Sequence, residues 1–198
     1  MQEFDAIRPY SDKETRTAIN NLVRDPEFLD MVGRFKVPAL ARWVPALLRG
    51  WVRRWLLRRF GSVDTINDLQ VQLSSYVGEL IGNTPSRVTQ SGLENLNKTS
   101  AYLFISNHRD IVFDPMVVNY LLFHNGFSTT RIAIGDNLLS NRVFAEMMRL
   151  NKSFVVRRNM TSPREMRDAY LTLSGFISHS IDHNDSIWIA QREGRAKN

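Results

Sequence analysis

A chain of 198 residues can hold one full α/β domain together with a helical extension. It contains no cysteine, which excludes disulfides, thiolate metal sites and cysteine nucleophiles and is compatible with a reducing compartment. The formal charge of +6 is local: residues 31–63 carry eight basic side chains and no acid, against 18 basic and 20 acidic residues in the remainder, so a generally cationic surface is excluded.

The opening stretch, MQEFDAIRPYSDKE, is acidic and polar. It lacks the apolar core of a secretory leader, and no run of about 18 apolar residues follows, so the expectation is a chain without a leader or a conventional membrane span. Residues 11–31 read as capped helical material, with Ser11 or Asp12 as N-cap and Glu14 in the first turn. Next comes the basic block, KVPALARWVPALLRGWVRRWLLRRFGS. Its apolar residues fall at 40, 43, 44, 47, 48, 51, 52, 55 and 56, the spacing of one helix face, with Arg42, Arg49 and Arg53 opposite. Pro38 suits a first helical turn, whereas Pro45 should kink the helix or restart it.

Two readings of this block compete. An amphipathic helix usually buries its stripe in the domain core. Against that, Trp43, Trp51 and Trp55 beside a dense arginine face without acids have the composition of a helix lying in the headgroup layer of an anionic membrane. Arg54, Arg58 and Arg59 fall near the apolar side, where long side chains can snorkel. The expectation is therefore a membrane-surface segment over residues 34–60.

A further helix is expected over 64–81, started by Asp64 and ended near Gly82, followed by a turn at NTPSR and a loop or short hairpin arm at SGLENLNKTS. From residue 101 the pattern changes. Strands are expected at AYLFIS (101–106), TRIAIG (130–135), SFVV (153–156) and SIWIA (186–190), with helices near 115–124, 139–150 and 163–181. The fold class is α/β: a helical N-terminal region, residues 1–98, then a mainly parallel sheet flanked by helices, residues 99–198.

Ligands of open α/β sheets bind outside the carboxyl ends of the strands. Here those ends offer Asn107, His108, Arg109, Asp110 and Asp114; then Gly135, Asp136 and Asn137; then Arg157 and Arg158; and finally Gln191, Arg192, Glu193, Gly194 and Arg195. A lone histidine is weak evidence of catalysis. A neighbouring carboxylate changes that, because bonding one ring nitrogen fixes the tautomer and leaves the other as a base. The set suits an anionic substrate and a proton transfer. His124, His179 and His183 have no such neighbours at strand ends, and no histidine pair with a third ligand suggests zinc.

SNHRDIVFDP, GDNLL, KSFVVRRN and AQREGRAKN resemble, in order and spacing, the four successive blocks of the glycerophospholipid acyltransferase superfamily, over residues 103–198. That superfamily includes the lysophosphatidate and glycerol-3-phosphate acyltransferases, and GDNLL with the paired arginines is closer to the glycerol-3-phosphate branch. The resemblance implies acyl transfer from a thioester, on coenzyme A or acyl carrier protein, to an alcohol of a glycerophosphate or lysolipid, with no metal or further cofactor. It makes His108 the general base. Arg157, Arg158 and Arg195 would hold the acceptor phosphate, and Glu193 and Gly194 would form a turn against the acceptor.

The sequence departs from the family pattern at two places. The family places its aspartate five residues after the histidine, whereas here Asp110 follows by two and Asp114 by six. Asp114, followed by Pro115, is taken as the partner of His108 across a one-residue bulge, with Asp110 in reserve. The chain also stops at Asn198, where the family continues with another strand, so the α/β domain is expected to be C-terminally incomplete. The full expectation is a peripheral enzyme of phospholipid synthesis on the cytoplasmic side of an anionic membrane, without nucleic acid. The rival is a non-enzymatic membrane- or nucleic-acid-binding module built on the basic block, which no recognisable reading motif supports. A phosphohydrolase is a third possibility, but the aspartates are too scattered for its usual metal site.

Overall fold

The computed structural model describes residues 2–82, 88–107, 110 and 112–191; the NTPSR turn lies outside them. Helix α1 (Asp12–Leu22) begins at Ser11, whose N–H and Oγ–H both donate to Glu14, at 2.8 and 2.6 Å. Arg8 clamps the same carboxylate with a two-pronged bond of 2.7 and 3.0 Å. The Arg8 guanidinium, first among the causes, holds the Glu14 carboxyl down at about 2. A depressed carboxylate stabilises the fold above its unfolded-state value, so this contribution fades as pH falls from about 4.5 towards 2.

Asp25 caps helix α2 (Pro26–Lys36) by accepting from the N–H groups of Glu27 and Phe28, at 2.8 and 3.2 Å. Helices α3 (Pro38–Trp43) and α4 (Pro45–Phe60) each open on proline, so Pro45 restarts the helix rather than kinking it. Helix α4 lies against α2 because Gly33 has no side chain to obstruct it: a Cβ there would stand 3.0 Å from Leu48 Cδ2. Arg49, expected on the free polar face, pairs with Asp30 of α2 through two bonds of 2.7 Å.

The broad apolar stripe of the basic block divides into two ridges. Leu48, Val52 and Leu56 are buried, Val52 completely at 0%, and Trp55 packs against the same cluster. Leu40, Trp43, Val44, Leu47 and Trp51 face outward, Trp43 at 81% exposed. Leu40 and Trp43 belong to α3; within α4, positions 48, 52 and 56 line up along one side, while 47 and 51 follow a ridge turned from it by about 100°. The neighbouring helices cover only one of them.

Helix α5 (Ile66–Gly82) starts differently from expectation. Thr65 accepts the Asp68 N–H at 3.1 Å and donates its own N–H to Asp68 at 2.9 Å, a reciprocal cap that displaces Asp64 from the role. Asp64 instead pairs with Arg16. Of the two expectations for residues 91–100, loop or short hairpin arm, the structure shows the loop, with a single 3₁₀ turn at Leu93–Asn95.

The second half alternates as its pattern predicts. Its order is β1 (Leu103–Ser106), α6 (Phe113–His124), β2 (Arg131–Gly135), α7 (Arg142–Leu150), β3 (Ser153–Val156), α8 (Pro163–Asp182) and β4 (Ile187–Ala190). Between β2 and α7 lies a 3₁₀ turn, Asp136–Ser140. All pairings are parallel, in the spatial order β1-β4-β2-β3. Ile132, Ile134 and Trp188 pack with Phe104 and Val118 on one face, towards α6 and α7. Phe154 and Ile187 pack with Phe176 of α8 on the other, joined by Phe4 and Ile7 from the N-terminal turn. The Val155 N–H donates to Ile7 O at 2.9 Å, so residues 2–8 are bound along β3. Val143 and Leu150 of α7 complete the core of α1, α2, α4 and α5, which puts the helical layer in contact with the sheet layer.

The two ridges predict unequal costs. Leu56→Ala should lower unfolding stability by about 2–4 kcal/mol through the cavity it leaves, whereas Trp43→Ala should change it by less than about 0.5 kcal/mol. Urea titration of both variants measures the difference.

Candidate active site at the carboxyl edge of the sheet

Every strand ends on the same edge of a parallel sheet, so the four sequence motifs converge there. In register, Ser106 stands opposite Ala190 and Gly135 opposite Val156. The Gln191 N–H donates to Ser106 O at 2.9 Å, fastening the end of β4 to the end of β1. The chain thus delivers its HRD and REGR segments from adjacent strand ends. His108 and Arg109 themselves, and Arg192, Glu193, Gly194 and Arg195, lie outside the described residues.

Both aspartates of the first motif sit at the start of α6. Asp110 Oδ1 accepts from the N–H groups of Val112 and Phe113, at 2.8 and 2.7 Å, satisfying two of the helix's otherwise unpaired donors. Asp114 Oδ2 accepts the Asp110 N–H at 2.9 Å, closing the turn from the other side. These bonds hold Asp110 against the first turn of α6. Asp110 is exposed and Asp114 half-buried.

The second and third motifs meet at the ends of β2 and β3. The Arg158 N–H donates to Asp136 Oδ2 at 3.1 Å, while Asp136 Oδ1 is buried without a partner among the described residues. Arg158 lays its guanidinium over Gly135: a Cβ on that residue would fall 2.9 Å from Arg158 Nε. Glycine at this position is what allows the cation to lie against the strand end. Arg157, the preceding residue, adds last among the causes to the lowered carboxyl of Glu165, whose principal cause is the Thr161 N–H. Both arginines are exposed.

Two concavities adjoin this edge. A cleft of about 780 Å³ lies between α2 and the Asp136–Ser140 turn, lined by Glu27, Asp30, Met31, Arg34, Leu138 and Phe144 among others, so its charged groups are of both signs. A mostly apolar cavity of about 190 Å³ runs beneath α6, over Ile132 and Ile134 of β2, between Leu73 and Val77 of α5 and Phe144 and Met148 of α7. Val112 and Pro115 line it at the start of α6, and it shares Leu138 and Phe144 with the cleft. The two concavities thus lie on either side of Leu138 and Phe144.

A family model described as Acyltransferase matches residues 87–196, which include all four motifs. The chain belongs to the acyltransferase family. No curated protein matches it.

Sequence reasoning missed two features of this acyltransferase. Asn119 of α6 accepts the Thr130 N–H and Oγ–H at 2.7 and 2.9 Å, tying α6 to the start of β2; an asparagine inside the apolar run MVVNYLLF was the available signal. At the amino edge of the sheet Arg131 pairs with Asp185 at 2.5 Å, and Lys152 donates to Thr129 O at 2.6 Å while burial lowers its pKa. No spacing in the sequence announces that second cluster.

Asp110→Ala removes the α6 cap and should lower stability by about 1 kcal/mol, with Asp110→Ser restoring most of it. Chemical denaturation of the two variants tests the capping role apart from any effect on turnover.

Proposed function

We propose that this acyltransferase moves a fatty acyl group from a thioester of coenzyme A or acyl carrier protein to a hydroxyl of glycerol phosphate or a lysophospholipid, in phospholipid synthesis. The observation that carries the reading is the mostly apolar cavity beside the start of α6, whose wall includes Ile134 next to the strand end where Arg158 lies over Gly135. A hydrocarbon chain gains by leaving water for such a slot, while an anionic headgroup is held where cations meet the strand ends.

In this mechanism His108 takes the proton of the acceptor hydroxyl as its oxygen attacks the thioester carbonyl. The carbon–sulfur bond breaks, and the departing thiolate takes up a proton. An alcohol is a poor nucleophile near neutral pH and a thioester reacts without a metal, so a positioned base is what the reaction requires. Asp114 orients the imidazole, with Asp110, whose Oδ1 caps the start of α6, in reserve. Arg157, Arg158 and Arg195 grip the acceptor phosphate, and Glu193 and Gly194 shape the turn against its remaining hydroxyl.

The membrane role rests on the outward ridge. Phe35 is 80% exposed and Leu40, Trp43, Leu47 and Trp51 continue the same surface, with Arg42, Arg53 and Arg54 also exposed. Aromatic and aliphatic side chains ringed by arginines suit the headgroup layer of an anionic leaflet, such as the cytoplasmic one. Met31 of the cleft lies one helical turn from Phe35, so a lipid product would leave along the surface that binds the membrane. No helix among the described residues is long and apolar enough to cross a membrane, so attachment would be peripheral.

His108→Ala should reduce thioester-dependent acylation of glycerol phosphate or lysophospholipid by roughly 10²-fold or more. Equal rates for variant and wild type would reject the assignment of the base. In liposome flotation, recovery with the membrane should rise with anionic lipid and fall for the double variant Trp43→Ser, Trp51→Ser. Flotation independent of both would remove the membrane role.

A further inference from the structure

The cavity beneath α6 changes character along its length. Beside Val112, Pro115, Ile134 and Leu138 its wall is hydrocarbon, but towards the amino ends of β2 and β3 it is lined by Gln70, Asn119, Thr129, Asn151 and Ser153. Most of these polar groups satisfy one another. Gln70 Nε2 donates to Asn151 Oδ1 at 3.0 Å, and Asn119 is occupied by Thr130. Ser153 is the exception: it is 0% exposed, and its Oγ has no hydrogen-bond partner among the described residues.

A buried hydroxyl left without a partner is costly, and the rest of β3, Phe154, Val155 and Val156, is apolar. A plain hydrocarbon tail would leave Ser153 in that condition. A hydroxyl on the tail can donate to Ser153 and accept from it. Resting on the acyl-transfer reading above, we propose that the deep end of the cavity recognises an acyl chain carrying a hydroxyl group well down its length, with Ser153 as the residue that determines the preference. The hydroxyl belongs far from the thioester because Ser153 lies at the amino end of β3, whereas the motifs stand at the carboxyl edge. Ser153 stands opposite Ile132 and Val156 opposite Gly135, three residue steps apart, roughly 10 Å at about 3.3 Å each.

The test compares palmitoyl-CoA with isomers of hydroxypalmitoyl-CoA bearing the hydroxyl next to the thioester, at mid-chain or at the terminal carbon. Transfer is followed as kcat/KM, and the corresponding free acids are compared separately by displacement of a fluorescent fatty acid from the full-length protein. A mid-chain or terminal isomer should surpass palmitate by roughly three- to tenfold in binding and in transfer, the range of one satisfied hydrogen bond. Ser153→Ala should bring that ratio close to one. Preference for palmitate over every isomer, as expected if a water alone serves Ser153, would overturn the inference, as would a ratio unchanged in Ser153→Ala. Transfer without any preference defeats the inference and leaves the acyl-transfer reading standing. Preferential binding without transfer of any donor supports the hydroxyl site and defeats the transfer reading.

Discussion

A parallel sheet must end all its strands on one edge, and the chemistry of this protein depends on that constraint. The insertion of β4 between β1 and β2 brings the last motif of the chain beside the first, across more than eighty intervening residues. The hydrogen bond from Gln191 N–H to Ser106 O marks the point where they meet. Without that pairing the HRD and REGR segments would be distant features of the same polypeptide. With it, the first and last motifs start from neighbouring strand ends.

The helices then determine what the edge can hold. Helix α6 is anchored at its start by the Asp110–Asp114 turn and near its middle by Asn119 against Thr130. Between those anchors it stands off the sheet far enough to leave a cavity that α5 and α7 close from the sides. The slot is therefore a product of four elements, and its apolar wall comes from residues that would otherwise be ordinary core. Its polar far end is harder to explain by packing alone, since Gln70, Asn119 and Ser153 are all buried there.

The basic block shows how one helix can serve both the fold and a surface. Its inner ridge of Leu48, Val52 and Leu56 joins the core with Leu22, Leu29 and Val143, while its outer ridge remains in solvent with most of its arginines. Arg49 of α4 is drawn into an ion pair with Asp30, and Lys36 and Arg59 lie over the Trp55 and Tyr76 rings. The two readings of the block, core helix and membrane helix, thus apply to different sides of it. Periodicity marks the apolar positions but not how wide a strip the neighbours can cover.

Much of the architecture was legible in the sequence because the signals are local. Alternating apolar runs defined all four strands, SFVV to the residue, and proline and capping residues marked the helix starts, apart from the choice of Thr65 over Asp64. The candidate site was legible as four motifs, since loops at strand ends carry polar residues that packing does not require. What tertiary structure alone decided is everything that joins distant segments. The order β1-β4-β2-β3, Arg158 lying over Gly135, and the orphaned hydroxyl of Ser153 in a shared cavity all arise between elements. Local sequence governs backbone conformation through sterics and nearby hydrogen bonds; which side chains finally face one another is settled only when whole elements bury their apolar surfaces together.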